Sequence, residues 1–170
     1  AARVRPTEIE SVVVRAAPAL RPWCEPLEER RRPPNPTSAA NSILYGAAKG
    51  LANGQVVLAD FTPVGLAQEE ALRVAALTSC EVDDAYAGRA VVEVRTADGR
   101  VFTERVDTPL GHPSRPLSEE QLAAKFEDCA GYAACGLDAA QVRELLDALQ
   151  SLEALADVRR LGDLARGGAD

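Results

Sequence analysis

The order of apolar and polar positions along the chain predicts a small β-sheet. Ile9–Arg15 is rich in β-branched residues and has apolar side chains on both faces. Two more β-branched runs, Arg89–Thr96 and Arg100–Val106, flank an Asp-Gly turn, which is typical of an antiparallel hairpin because both turn residues tolerate positive φ. A short strand is also predicted at Ser79–Asp83. We therefore expect a small antiparallel sheet of three to four strands.

Apolar residues spaced three and four positions apart predict four to five helices. The first begins at Thr37 or Ser38 and ends near Ala52, and the residues between it and the first strand, 17–36, are expected to form an irregular loop. The others are predicted at about Ala67 to Leu77, Glu119 to about Ala133, about Ala139 to Gln150, and, as a turn or two, Asp157 to Ala165.

Two of these helices carry the same start signal. Ser118 is followed three residues later by Gln121, and Asp138 is followed by Gln141, so that each pair forms a capping box. Helices and sheet together predict an α+β fold. The length of 170 residues is that of one ordinary domain, so we expect residues 1–170 to form a single unit.

The charge of the chain argues against two classes of partner. Its 26 acidic and 19 basic side chains give a net charge of -7, which disfavours nucleic acid and anionic membrane surfaces. No apolar run approaches the ~20 residues that a membrane span requires, and no signal-peptide core is present at the start. We therefore expect a cytoplasmic protein. Because its net charge is negative, the positive charges that would bind any anionic ligand are expected to be local.

The cysteines do not have the spacing of a metal site. Cys24, Cys80, Cys129 and Cys135 form no CxxC pair, and the single histidine cannot complete a zinc cluster. We expect no structural metal. The cysteines are expected to be reduced thiols, most of them buried.

The first predicted helix carries the clearest candidate chemistry. Ser42, Tyr45 and Lys49 fall on one face, since they are separated by three and four positions. An ammonium one turn from a phenol favours the phenolate and lowers its pKa, which makes a tyrosine a usable acid or base. The alternative is a partly buried helix tyrosine with its hydroxyl at the rim.

Two further candidates lie later in the chain. His112 is flanked by Gly111 and Pro113 in a loop, where it could contact a ligand or only fix its own turn. Lys125 lies beside Phe126, which is on the buried helix face, and either supports the structure or contacts a ligand.

The order of several motifs resembles the C-terminal part of MmgE/PrpD proteins, a family of dehydratases, decarboxylases and epimerases. The resemblance covers roughly Pro36 to Leu161. Its motifs are Asn35-Pro36-Thr37, Ala40, Ser42, Tyr45, Gly54, Phe61, the Asp-Gly-Arg hairpin, Gly111-His112, Pro116-Leu117-Ser118 and Lys125-Phe126.

The resemblance implies a cofactor-independent lyase or epimerase that moves a proton next to a carboxylate of a small polycarboxylate. It also implies a larger, helical N-terminal domain that supplies most catalytic groups, so this chain alone is expected to be inactive. Tyr45 matches a tyrosine that the small domain brings to the active site, and His112 matches a loop position. Both are candidate catalytic residues, with Ser42, Lys49 and Lys125 as candidate substrate-binding residues.

A second function remains open. The chain could be a non-catalytic module that binds a protein or a ligand through the surface that the helical domain covers in the enzymes. A homodimer also remains open.

Overall fold

The computed structural model describes residues 4–134 and 136–166. Its chain divides into two compact units, Ala1–Arg115 and Pro116–Asp170. Both are described separately below. No helix in the described ranges is long and apolar enough to cross a membrane.

The first unit is built on a four-stranded sheet. Its strands are β1 (Ile9–Ala16), β2 (Thr78–Val82), β3 (Ala90–Thr96) and β4 (Val101–Val106), in the order β2-β1-β3-β4. The predicted hairpin is confirmed, because β3 and β4 pair antiparallel, and the α+β class is confirmed as well. The expectation of a purely antiparallel sheet is wrong.

The sheet is mixed because β1 and β2 pair in parallel. A parallel partner requires a crossover connection between the two strands, and residues 17–77 supply one that contains the helices of this unit. Alternate residues of β1, Val12 and Val14, are buried under those helices. The core joins residues of the sheet to residues of two helices: Ile9, Val12, Val14, Ala48, Val74, Ala75 and Val94.

Among the described residues, the first unit contains five α-helices. They are α1 (Leu27–Arg31), α2 (Pro36–Ala40), α3 (Ile43–Asn53), α4 (Pro63–Leu66) and α5 (Glu69–Ala76). The single helix predicted from Thr37 or Ser38 is in fact two, because two residues act as separate N-caps. The Asn35 side chain accepts a hydrogen bond from the Ser38 N–H at 2.9 Å, and the Ser42 hydroxyl accepts one from the Tyr45 N–H at 3.0 Å.

The segment before α2 is more ordered than expected. It contains α1 and a 3-10 helix over Pro18–Trp23. A disulfide joins Cys24 to Cys80 on β2, with the two Cα atoms 6.0 Å apart. The prediction of reduced cysteines is therefore wrong for this pair, because the fold brings together residues that are 56 positions apart, while Cys24 is buried as predicted.

The other two cysteines take no part in this bond. Cys129 is a free thiol, as predicted, but it is exposed rather than buried. Cys135 lies outside the described residues.

The second unit is helical. It contains α6 (Glu119–Ala130), α7 (Ala139–Gln150) and α8 (Arg159–Ala165). Both predicted capping boxes are confirmed by reciprocal hydrogen bonds between Ser118 and Gln121 and between Asp138 and Gln141.

Candidate functional site

Three predicted site residues come together on α3, and all three are buried. Tyr45 and Lys49 have no exposed surface, and Ser42 is 6% exposed. The Ser42 hydroxyl donates to the Arg30 carbonyl and accepts from the Tyr45 N–H. It thereby fixes the start of α3 against α1.

The Tyr45 hydroxyl is held by backbone carbonyls. It lies 2.7 Å from the Asp60 carbonyl and 3.2 Å from the Gly65 carbonyl. Asp60 belongs to a 3-10 helix, Leu58–Phe61. The hydroxyl lies in the interior rather than at the rim.

This setting raises the pKa of Tyr45 from 10.0 to about 12. Burial is the larger cause, because it disfavours the phenolate, and the negative charge of Asp60 adds to it. The expectation that Lys49 lowers this pKa is wrong. The ammonium lies 5.5 Å from the centre of the tyrosine ring, but Asp60 offsets its charge.

Lys49 is saturated by groups of the protein itself. Its Nζ donates to the Gly65 carbonyl at 2.7 Å and to Gln68 Oε1 at 2.6 Å, and it forms an ion pair with Asp60 Oδ1 at 3.2 Å. Asn53 completes the arrangement, with its Nδ2 3.0 Å from Asp60 Oδ1. We refer to Tyr45, Lys49, Asn53, Asp60 and Gln68 as the polar cluster.

Three of these five residues, Asn53, Asp60 and Gln68, were not among the predicted site residues. A buried lysine requires an acidic partner, so an aspartate or glutamate close to Lys49 in the sequence was the available signal for this cluster. Asp60, however, is 11 positions from Lys49, beyond the range of helix periodicity.

A hollow of about 760 Å³ lies next to the polar cluster. It is lined by residues of the segment 59–68, including Asp60, Gly65 and Gln68. These three residues bond to Tyr45 or Lys49, which do not line the hollow themselves. A cleft of about 700 Å³ between the end of α3 and strands β3 and β4 contains none of the predicted site residues.

His112 lies in a different place, in the loop that follows β4. It is exposed. Its Nδ1 is 2.8 Å from the Ser114 hydroxyl and 3.2 Å from the Ser114 backbone nitrogen. The histidine therefore fixes its own turn, which is one of the two roles considered for it from the sequence.

Lys125 belongs to the second unit and is exposed on α6. It lines a groove of about 730 Å³ between α6 and α7. The other lining residues are mostly apolar: Glu119, Leu122, Ala123, Phe126, Cys129, Leu146, Leu149 and Gln150. Within the described ranges, no group of three or more histidine, cysteine, aspartate or glutamate side chains is placed to hold a metal ion.

Comparison with known proteins gives two results. Residues 1–152 match the model of the MmgE/PrpD C-terminal domain. The chain is also similar to cis-aconitate decarboxylase of Mus musculus, with 37% identity over 76 residues. The matched segment makes up 45% of this chain and 15% of that relative, so the chain corresponds to a small part of the enzyme.

Proposed function

The chain belongs to the MmgE/PrpD family, and we propose that it is the C-terminal domain of a lyase or isomerase that acts on a small polycarboxylate. The family match over residues 1–152 carries this proposal. The similarity to a cis-aconitate decarboxylase supports the substrate class, because cis-aconitate bears three carboxylates. In this proposal the reaction requires no cofactor and moves a proton next to a carboxylate.

The partner that completes the site is a helical N-terminal domain. The matched part of the relative is 15% of its length, which leaves ample chain for such a domain. We propose that the N-terminal domain supplies the main acid and base groups. The 170-residue chain alone is then inactive.

Tyr45 is the proposed proton donor or hydrogen-bond donor to the substrate. A pKa of about 12 keeps its hydroxyl protonated at neutral pH, which suits a donor and not a base. Its hydroxyl bonds to Asp60 and Gly65, which line the neighbouring hollow. The proposed role therefore requires the segment 59–68 to move when substrate binds.

Ser42 and Lys49 are proposed to position Tyr45 rather than to contact substrate. Their polar atoms are occupied by carbonyl, amide and carboxylate groups of the protein. His112 and Lys125 are exposed and therefore remain candidates for direct contact with an anion.

A solvent-exchange assay tests the function. The two-domain protein is incubated in D₂O with a panel of di- and tricarboxylates, and one-dimensional NMR follows both the loss of C–H signals beside a carboxylate and the appearance of product. We expect turnover by the two-domain protein and none by this chain alone. Absence of turnover and exchange across the panel, with a folded protein, would favour the non-catalytic binding module.

The role of Tyr45 is tested in the same assay. Tyr45→Phe is expected to lower turnover by about 10²-fold or more, the usual effect of losing a general acid. Tyr132→Phe is the matched control, because Tyr132 is 51% exposed. Equal turnover by Tyr45→Phe and the unmodified enzyme would exclude the donor role.

A further inference from the structure

The loop that carries His112, residues 108–115, is a self-contained structure, and we refer to it as the histidine loop. Gly111, with φ of 91°, donates its N–H to the Arg115 carbonyl at 2.9 Å. The Arg115 N–H donates a hydrogen bond to the His112 carbonyl at 2.7 Å, which closes a tight turn over Pro113 and Ser114. His112 and Arg115 form an antiparallel bridge across this turn.

Ser114 determines which nitrogen of His112 carries the proton. A backbone N–H can only donate, and that of Ser114 lies 3.2 Å from Nδ1. Nδ1 must therefore accept, so the neutral imidazole carries its proton on Nε2. The Ser114 hydroxyl, at 2.8 Å, is a second donor to the same nitrogen. Nε2 has no partner among the described residues and is left as a hydrogen-bond donor.

Arg115 adds a fixed positive charge to the same face of the loop. Residues that pair across an antiparallel bridge project their side chains to one side, with Cβ atoms about 5 Å apart. The Arg115 Nη1 donates to the Thr108 carbonyl at 2.9 Å, which anchors the guanidinium through a neutral group. Arg115 has no acidic partner in the described residues, whereas nearby Arg105 is paired with Asp107.

We propose that the histidine loop binds a carboxylate of the substrate, with Arg115 supplying the charge, His112 Nε2–H supplying a directed donor, and Ser114 positioning His112. The inference rests on the proposed function for the identity of the ligand as a polycarboxylate. A chain with a net charge of -7 needs such a local basic site to attract an anion. The remaining N–H groups of Arg115 match the two oxygens of a carboxylate.

The proton position is tested on the 170-residue chain. His112 is the only histidine, so labelling with ¹⁵N-histidine yields one imidazole and requires no assignment. We expect the neutral ring to show an unprotonated Nδ1 and a protonated Nε2. A proton on Nδ1 would overturn the assignment to Ser114.

Carboxylate binding is tested by kinetics of the two-domain enzyme. Arg115→Met is expected to raise KM about tenfold to a hundredfold, the range for a lost charge-assisted hydrogen bond, and to change kcat less than about twofold. Arg115→Lys should recover part of this loss. Arg105→Met is the matched control, because Arg105 is also exposed but is neutralised by Asp107. An unchanged KM in Arg115→Met would overturn the proposal.

Two amide variants separate the nitrogens of His112. Glutamine places an N–H near the position of Nε2, and asparagine places one near Nδ1. His112→Gln should therefore retain a KM within about threefold of the unmodified enzyme, while His112→Asn and His112→Ala should raise it by about tenfold. Ser114→Ala should raise KM by a smaller factor with kcat unchanged. Equal KM values for the glutamine and asparagine variants would contradict a directed Nε2–H.

Failure of the proposed function can be recognised separately. If the two-domain protein has no turnover, its binding of tricarballylate, a stable tricarboxylate, is measured by calorimetry. Binding that weakens at least about tenfold in Arg115→Met but not in Arg105→Met supports the carboxylate site without the reaction. Absent binding, or equal binding by both variants, overturns it.

Discussion

The polar cluster and the histidine loop hold similar side-chain types in opposite settings. In the polar cluster, Lys49 and Tyr45 are fully buried, and the hydroxyl and the ammonium have two or more partners within the protein. In the histidine loop, His112 and Arg115 are exposed, and each keeps donor groups that have no partner among the described residues. The first arrangement stabilises the fold, while the second is able to meet a ligand as it stands.

The difference lies in what each residue type is bonded to. In the sequence, reactive side chains that share one helix face resemble a functional site. When they are buried, the same groups bond to one another and to the backbone, because an unpaired buried charge is costly. A turn closed by backbone hydrogen bonds leaves its side chains to solvent. Availability therefore distinguishes the two regions better than residue type does.

Removing the buried ammonium should produce the largest effect. Lys49→Met leaves the Asp60 carboxylate buried without its counter-ion, and the loss of one partner from a buried ion pair costs roughly 3–5 kcal/mol. We expect that decrease in the free energy of unfolding, measured by urea denaturation. Lys125→Met, at the other lysine of the chain, should change it by less than about 0.5 kcal/mol.

A second variant identifies the cause of that loss. In Lys49→Met with Asp60→Asn, the uncompensated charge is gone, so we expect part of the stability to return. If the double variant is no more stable than Lys49→Met, the loss reflects packing alone. The polar cluster would then not depend on its ion pair.

Glycine substitutions compare the two regions at the level of the backbone. A Cβ on Gly65 would lie 2.1 Å from the Ala59 carbonyl oxygen, so Gly65→Ala must displace α4 and the carbonyls that hold Tyr45 and Lys49. We expect a loss of about 1–3 kcal/mol. A Cβ on Gly111 would meet nothing within 4 Å, but the φ of Gly111 is 91°, so Gly111→Ala should cost about 1–2 kcal/mol.

The two glycine variants should also differ in which signals they move. Gly65→Ala is expected to alter the amide NMR signals of α3 and α5, and Gly111→Ala to alter those of the histidine loop and the imidazole of His112. Gly46→Ala, within α3, is the control, because the added Cβ would meet nothing within 4 Å, and it should stabilise by about 0.5–1 kcal/mol. A destabilising Gly46→Ala would mean that the added methyl group has no open space at this position of α3.

Local signals in the sequence predicted much of the fold. The capping boxes before α6 and α7, the Asp-Gly hairpin and strand β1 all depend on residues within a few positions of each other. The errors concern longer-range or competing signals. Asn35 and Ser42 each cap a helix, so one predicted helix became two, and the parallel pairing of β1 with β2 depends on the crossover between them.

The candidate site was likewise predictable only where its residues are close together in the sequence. Periodicity correctly placed Ser42, Tyr45 and Lys49 together, because they share one helix. It could not reveal that Asp60 lies against them, and this carboxylate offsets the charge of Lys49 and helps to raise the pKa of Tyr45. The error in the predicted direction of that pKa thus has two tertiary causes, the burial of the hydroxyl and, to a lesser degree, the charge of Asp60.

Alkaline unfolding should distinguish a buried hydroxyl from an exposed one. The pKa of Tyr45 is raised from 10.0 to about 12, so below pH 10 the group is neutral in both folded and unfolded chains. Between pH 10 and about 12 the unfolded chain loses this proton while the folded chain keeps it. The free energy of unfolding should therefore fall by up to about 1.4 kcal/mol per pH unit from this group.

Tyr45→Phe should be less stable at pH 8 but should lack this component of the slope. Tyr132→Phe should retain it, since Tyr132 is exposed. Parallel pH profiles for the unmodified chain and Tyr45→Phe would mean that the hydroxyl already reaches solvent, which would make Tyr45 as available to a ligand as His112.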